Sequence, residues 1–461
     1  MSVLAAFAVP HPPLILPEVG QGEERKIQNT IDAFRAAMRR AAELKPDTVV
    51  LTSPHAILYE DYFHISPGDT AQGDLRRFGA KDVRLEVPYD TEFVRELSRL
   101  AREENLPAGT LGGRDRELDH ATLIPLRFLN EFFTGYRLVR IGLSGLPPLP
   151  HYRLGQCIAR TAEALSRRVV IIASGDLSHK LISDGPYGFA PEGPEFDREV
   201  TEALGSGDFS ALLSFPPAFT DAAAECGLRS FQIMAGALDG KAITSELLSY
   251  EGPFGVGYGV AAFTVTGDDP SRRFGDRLEE ARQRRLTAQK AGEDDCVRLA
   301  RLSLESYVRT GRRAALPDEL SEELLTTRAG AFVSLKKDGR LRGCIGTIAP
   351  TTGSVAEEIL QNAVSAGAED PRFPPVREEE LPDLVYSVDV LGRPEDIASP
   401  AELDVARYGV IVSAGPRRGL LLPHLEGVDT VEQQIAIARQ KAGISSHEAV
   451  TLQRFEVVRH T

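Results

Sequence analysis

Three apolar runs constrain this chain more than any other feature, because all of them end in the same way. Val3-Leu-Ala-Ala-Phe-Ala-Val9 leads into Pro10-His11-Pro12-Pro13, and Thr48-Val-Val-Leu-Thr52 leads into Ser53-Pro54-His55. Arg168-Val-Val-Ile-Ile-Ala173 empties into Ser174-Gly-Asp-Leu-Ser-His179. Short, continuous apolar runs read as strands buried on both faces. Proline lacks the N–H that the next ladder bond would need, so the first two strands must stop there. In an open α/β sheet, ligand and metal sites form beyond the carboxyl ends of the strands. Imidazoles delivered to three such ends predict a metal centre with a proton-transfer residue beside it.

The rest of the first ~265 residues keeps a strand-then-helix rhythm, as α/β folds do. Apolar positions at Ile27, Ile31, Phe34 and Met38 give Glu23–Leu44 one helix face, closed by Lys45-Pro46. Strands are expected at Arg84–Val87, Leu138–Leu143, Ser245–Tyr250 and Val260–Val265, with helices near Thr91–Glu103, Tyr152–Ser166, Glu195–Leu204 and Arg229–Leu238. From Gly267 the character changes to a mixed-charge stretch, Asp276-Arg-Leu-Glu-Glu-Ala-Arg-Gln-Arg-Arg, which reads as a solvated linker helix. Beyond it, Ala331-Phe-Val-Ser-Leu and Leu341-Arg-Gly-Cys-Ile-Gly flank Asp338-Gly339, a strong hairpin signal. A helix at Ser354–Ala366, strands near Leu384–Val390 and Val410–Ser413, a helix at Val431–Ala442 and a last strand at Ala449–Val458 complete this part. The expected organisation is an α/β domain over 1–267, with a central mixed sheet flanked by helices. A charged linker over 268–290 and a smaller α+β domain over 291–461 follow.

With 461 residues, two or three domains are the prior. A formal net charge of −14 argues against a broad nucleic-acid or anionic-membrane surface. No run approaches the ~20 apolar residues of a spanning helix, and the N-terminus shows no basic signal-peptide region. Cys157, Cys226, Cys296 and Cys344 form no C-x-x-C pair, which fits a reducing cytoplasm rather than a disulfide scaffold. No strand leads into a glycine-rich phosphate loop, so no nucleotide site is expected.

Two neutral imidazoles and one carboxylate on one face of Fe(II) leave room for substrate and O2. His11 and His55 supply the imidazoles. The carboxylate is expected from Glu225, in the small-residue loop Thr220–Ser230, with Asp221 as the alternative. His179 suits general acid–base work, since its ordinary pKa is near ~6.5. Asp176 or Ser178 is placed to orient it. His120, at the start of another apolar segment, is expected to bind substrate or dioxygen. His64, His151, His424, His447 and His460 read as structural or exposed.

These motifs resemble those of class III (LigB-type) extradiol ring-cleavage dioxygenases and of the related Memo family. The likeness rests on Pro10-His11-Pro12-Pro13, Ser53-Pro54-His55, Asp119-His120 with Pro125-Leu126, Ser174–His179 and Glu225-Cys226-Gly227. It implies that His11, His55 and Glu225 hold Fe(II), that His179 is the acid–base residue, and that a catecholic or related aromatic compound and O2 are the substrates. Memo-like proteins place a cysteine near the third-ligand position, and here Cys226 adjoins Glu225. A thiolate would favour zinc or copper. Residues 290–461 resemble the AMMECR family through Leu341-Arg-Gly-Cys-Ile-Gly346, Glu369-Asp-Pro-Arg-Phe373, Gly419-Leu-Leu-Leu-Pro423 and Glu426–Thr430. Chains that join both resemble those of the AmmeMemoRadiSam system, which implies a radical-SAM protein as functional neighbour. Within this part, Cys344 reads as a packed thiol, while Arg342, Asp370, Arg372 and His424 are candidates to line a polar groove. A homodimer is the default assembly.

Overall fold

Side chains alternate along a strand, so each apolar run sends residues to both faces of its sheet, and both faces meet helices. The computed structural model describes residues 2–113, 117–425 and 427–461; Glu426 of the last motif lies outside the described residues. The N-terminal sheet has six strands: β1 (Val3–Val9), β2 (Thr48–Ser53), β3 (Arg137–Gly142), β4 (Val169–Ser174), β5 (Lys241–Glu251) and β6 (Tyr258–Asp268). Their order is β3-β2-β4-β1-β6-β5, parallel from β3 to β1 and antiparallel beyond. Ala5, Phe7, Val49, Leu51, Val170 and Ile172 pack in the core containing helix α1 (Gln28–Glu43) and helix α2 (His120–Leu129). Val3, Ala6, Val50, Val169 and Ile171 pack on the other face, in the core of helices α3 (Pro148–Ala164), α4 (Glu192–Ser206) and α5 (Leu228–Ala237). Gly155 of α3 and Gly236 of α5 let two of these helices touch backbone to backbone. A Cβ on Gly236 would lie 1.9 Å from the Tyr152 carbonyl oxygen.

The chain divides into two compact units, Met1–Ala281 and Arg282–Thr461. The expected charged helix exists as α6 (Phe274–Gly292), and the division falls within it. In the second unit, α7 (Asp295–Thr310) precedes the anticipated hairpin of β7 (Ala331–Lys337) and β8 (Arg340–Gly346). Then come α8 (Val355–Val364), β9 (Leu384–Leu391), β10 (Glu395–Ile397), β11 (Gly409–Ala414), β12 (Arg417–Leu421), α9 (Val431–Lys441), β13 (Thr451–Phe455) and β14 (Val457–His460). They form two four-stranded sheets, β8-β7-β9-β14 and β10-β13-β11-β12. The single last strand expected at Ala449–Val458 is therefore two. Around Glu456, whose carbonyl accepts from the Gly392 N–H at 2.8 Å, the chain passes from one sheet to the other. Among the described residues, no helix is long and apolar enough to cross a membrane.

Candidate metal centre

Register explains why the histidines meet. Val9 pairs with Ser174 and Thr52 with Ala173, so β1, β2 and β4 end level with one another. His11 lies two residues past the end of β1, and His55 two past the end of β2. Their Nε2 atoms face each other at 3.2 Å, and the Cys226 sulfur lies 3.7 Å from His11 Nε2. One donor atom from each of the three lies within 4.8 Å of the other two. Donors bound to one ion at roughly 2.0–2.3 Å stand at such separations, so the residues present fit a metal.

The surroundings fix how these donors point. His11 is 2% exposed, and burial together with the neighbouring His55 lowers its pKa to about 3, so the ring is neutral. The Ser174 hydroxyl donates to the Ala121 carbonyl at 2.7 Å, and its oxygen stands 3.0 Å from His11 Nδ1. With that hydroxyl proton committed, Nδ1–H donates to Ser174, and the lone pair of Nε2 is left for a cation. The His11 backbone N–H donates to Asp176 Oδ1 at 2.8 Å. Burial raises the Asp176 pKa to about 6. His55 is exposed and forms the open side of the cluster. His120 caps the group: its ring centroid lies 4.2 Å from that of His55 and 5.4 Å from that of His11. Burial, with both neighbouring imidazoles, lowers its pKa to about 3. It is set in place by Asp119, whose carboxylate accepts the Thr122 N–H at 3.0 Å as the N-cap of α2 and the Ser53 hydroxyl at 2.6 Å.

Glu225 does not join the cluster. Its Oε2 accepts the Leu228 N–H at 2.7 Å, so the carboxyl closes the first turn of α5. Burial raises its pKa to about 7. Asp221 is exposed on the short helix Pro217–Ala223 and is likewise outside. The third donor is the adjacent Cys226, and a pair of glycines delivers it. A Cβ on Gly175 would lie 2.1 Å from Gly227 Cα, so the loop after β4 and the loop before α5 touch backbone to backbone. That contact lets the Asp176 N–H donate to Cys226 Sγ at 3.3 Å. Burial, with Asp176 and Glu225 nearby, pushes the thiol pKa well above its ordinary value. A bound cation is what would reverse that preference.

His179 lies on the same side: it, Asp176 and Cys226 also have donor atoms within 4.8 Å of one another. Its Nδ1 is buried and has no hydrogen-bond partner among the described residues, and its ring meets Tyr187 edge-on at 5.2 Å. Asp176 holds the His11 backbone, whereas the loop carrying His179 is held by Asp197. The Asp197 carboxylate accepts the Ser178 N–H and the Tyr250 hydroxyl, both at 2.7 Å. Sequence reasoning missed this residue, which is one of many acids on an ordinary amphipathic helix. Burial raises its pKa from 3.8 to about 7. The folded state therefore holds the proton more tightly than the unfolded chain, so this contribution to stability is greatest below about pH 4. It declines as pH rises towards 7 and is flat above. Asp197→Asn is expected to flatten that slope, worth on the order of 4 kcal/mol, in unfolding midpoints measured from pH 4 to 8.

A helix-covered α/β sheet with imidazole and thiol donors beyond its carboxyl edge defines a candidate metalloenzyme domain. The chain belongs to the family of the catalytic LigB subunit of aromatic ring-opening dioxygenase, whose model matches residues 5–261, and it carries an AMMECR1 domain over residues 297–460. Protein CA_C1420 of Clostridium acetobutylicum is 42% identical over 468 residues, spanning 100% of this chain and 99% of its own. A protein of Thermotoga maritima is 52% identical over 171 residues, 37% of this chain and 98% of its own. The crystal structure of uncharacterized protein PH0010 from Pyrococcus horikoshii covers 36% of this chain and 88% of its own, at 34% identity and a TM-score of 0.34.

Proposed function

We propose that the N-terminal domain is a non-haem Fe(II)-dependent dioxygenase that cleaves a catecholic or related aromatic compound beside its diol. His11, His55 and Cys226 would hold the metal, and His179 would serve as acid–base residue. The reading is carried by the convergence of two imidazoles and a thiol on one point, with two further imidazoles beside it. A bound metal would supply Lewis acidity towards the diol and an electron path to O2. The chain's own part is to position and to move protons. The unpartnered Nδ1 of His179 marks an imidazole free to take a phenolic proton. His120, neutral and fixed at the start of α2, would offer a hydrogen bond to substrate. Asp176 and Ser174 keep His11 in the tautomer that leaves Nε2 available.

The cysteine favours a second reading, a Memo-type metal-binding protein without ring cleavage, in which zinc or copper replaces iron. On either reading we propose a cytoplasmic protein, in keeping with its four free cysteines, and a radical-SAM protein as its working partner. Chain purified without oxygen should contain stoichiometric iron and consume O2 with at least one member of a catechol panel in an oxygen electrode. Full metal occupancy without O2 uptake across the panel would leave only the second reading.

A further inference from the structure

The C-terminal unit holds a second chemical cluster, on the half-buried face of sheet β8-β7-β9-β14. Register places Cys344 opposite Ser334 and Ser334 opposite Ser387, so a thiol and two hydroxyls form one row across three strands. Val333 and Leu335, which flank Ser334, turn to the opposite face and enter the apolar core. The Ser334 hydroxyl donates to Cys344 Sγ at 3.2 Å.

One cation touches this row and two others act on it electrostatically. The buried Asp370 carboxylate accepts the Cys344 N–H at 2.9 Å and grips Arg372 Nε and Nη2 at 2.9 and 2.7 Å. Arg372 also donates to the Cys344 carbonyl at 3.0 Å, so its guanidinium is fixed beside the thiol with its outer edge half exposed. Arg459, paired with Asp389 at 2.7 Å, acts electrostatically on Cys344 from β14. Lys441, the last residue of α9, interacts electrostatically with both Cys344 and Arg372. It forms no hydrogen bond or ion pair with any described residue. Asp370 balances Arg372 and Asp389 balances Arg459, which leaves the Lys441 charge without a carboxylate. That one uncompensated positive charge, beside the half-exposed guanidinium of Arg372, favours an anion at the polar row.

We propose that this face is a second ligand site, which binds a small carboxylate-bearing electrophile and presents it to the Cys344 thiol. Iodoacetate and its neutral counterpart iodoacetamide test this on the full, metal-loaded chain. In each reaction an S–C bond forms, the C–I bond breaks, iodide leaves and the thiol proton passes to solvent. Labelling is followed by peptide mass mapping, which separates Cys344 from Cys157, Cys226 and Cys296. The ratio of iodoacetate to iodoacetamide rates at Cys344 is expected to exceed that of free glutathione by about tenfold. Lys441→Met should reduce the ratio at least threefold with the iodoacetamide rate unchanged, and Lys441→Arg should restore it. A ratio equal to that of glutathione, a ratio indifferent to Lys441→Met, or a Cys344 that labels only after denaturation would each overturn the proposal.

Discussion

His11→Ala is expected to strip the metal and abolish turnover, whereas His179→Ala is expected to retain the metal and lose only turnover. The difference follows from where the two rings stand. His11 is buried, its Nδ1 is committed to Ser174, and its Nε2 is the atom shared by the shortest contacts of the cluster. Even outer groups that merely orient a ligand change affinity about 10–100-fold, so loss of this donor should cost at least the upper end of that range. His179 sits beside the cluster, with a buried nitrogen that bonds to nothing described. Its removal takes away a proton acceptor and leaves both facing Nε2 atoms in place. Positioned general bases contribute typically about 10²–10⁴-fold in rate, and a loss of that size should appear at unchanged metal content. Metal analysis and oxygen-uptake rates on the two variants check this. Equal metal loss in both would make His179 a ligand and remove it from the acid–base role.

The parts of this architecture visible in the sequence are those that depend on local pattern. β1, β2 and β4 are continuous apolar runs ended by proline or by a glycine-containing loop, and their common direction brings His11, His55 and the 174–179 loop to one edge. The hairpin at Asp338-Gly339 is equally local: both residues adopt positive φ, as the tight turn requires. What escaped depends on contacts between distant segments. Gly175 and Gly227 touch because neither has a side chain, and nothing in the order of residues announces that meeting. The division of the last strand at Glu456 is hidden for a similar reason. The flanking residues pair with different sheets while the chain itself stays extended. Arg342, whose position suggests a polar groove, forms a two-point pair with Glu380 at 2.9 Å and so stiffens the fold.

A local pattern distinguishes Glu225 from Cys226. An acid three residues before the first turn of a helix competes for that helix's free N–H groups, and Glu225 stands so before Leu228. Its carboxyl is thereby occupied, and the neighbouring thiol faces the imidazoles. Glu225→Gln should therefore leave metal content unchanged, since an amide oxygen still accepts the Leu228 N–H. Glu225→Ala should cost about 1 kcal/mol of stability through the lost cap, again at full metal content. Cys226→Ser should act in the opposite way, with little change in stability. Its affinity for zinc should fall by about 100-fold, and its relative preference should move from soft ions towards iron, because a hydroxyl is a harder and poorer donor than a thiolate. Competition against a chromogenic chelator, run with zinc and with iron on the three variants, measures both effects. If Glu225→Gln empties the site while Cys226→Ser keeps it full, the third ligand is the carboxylate, and α5 must unwind at its first turn to deliver it.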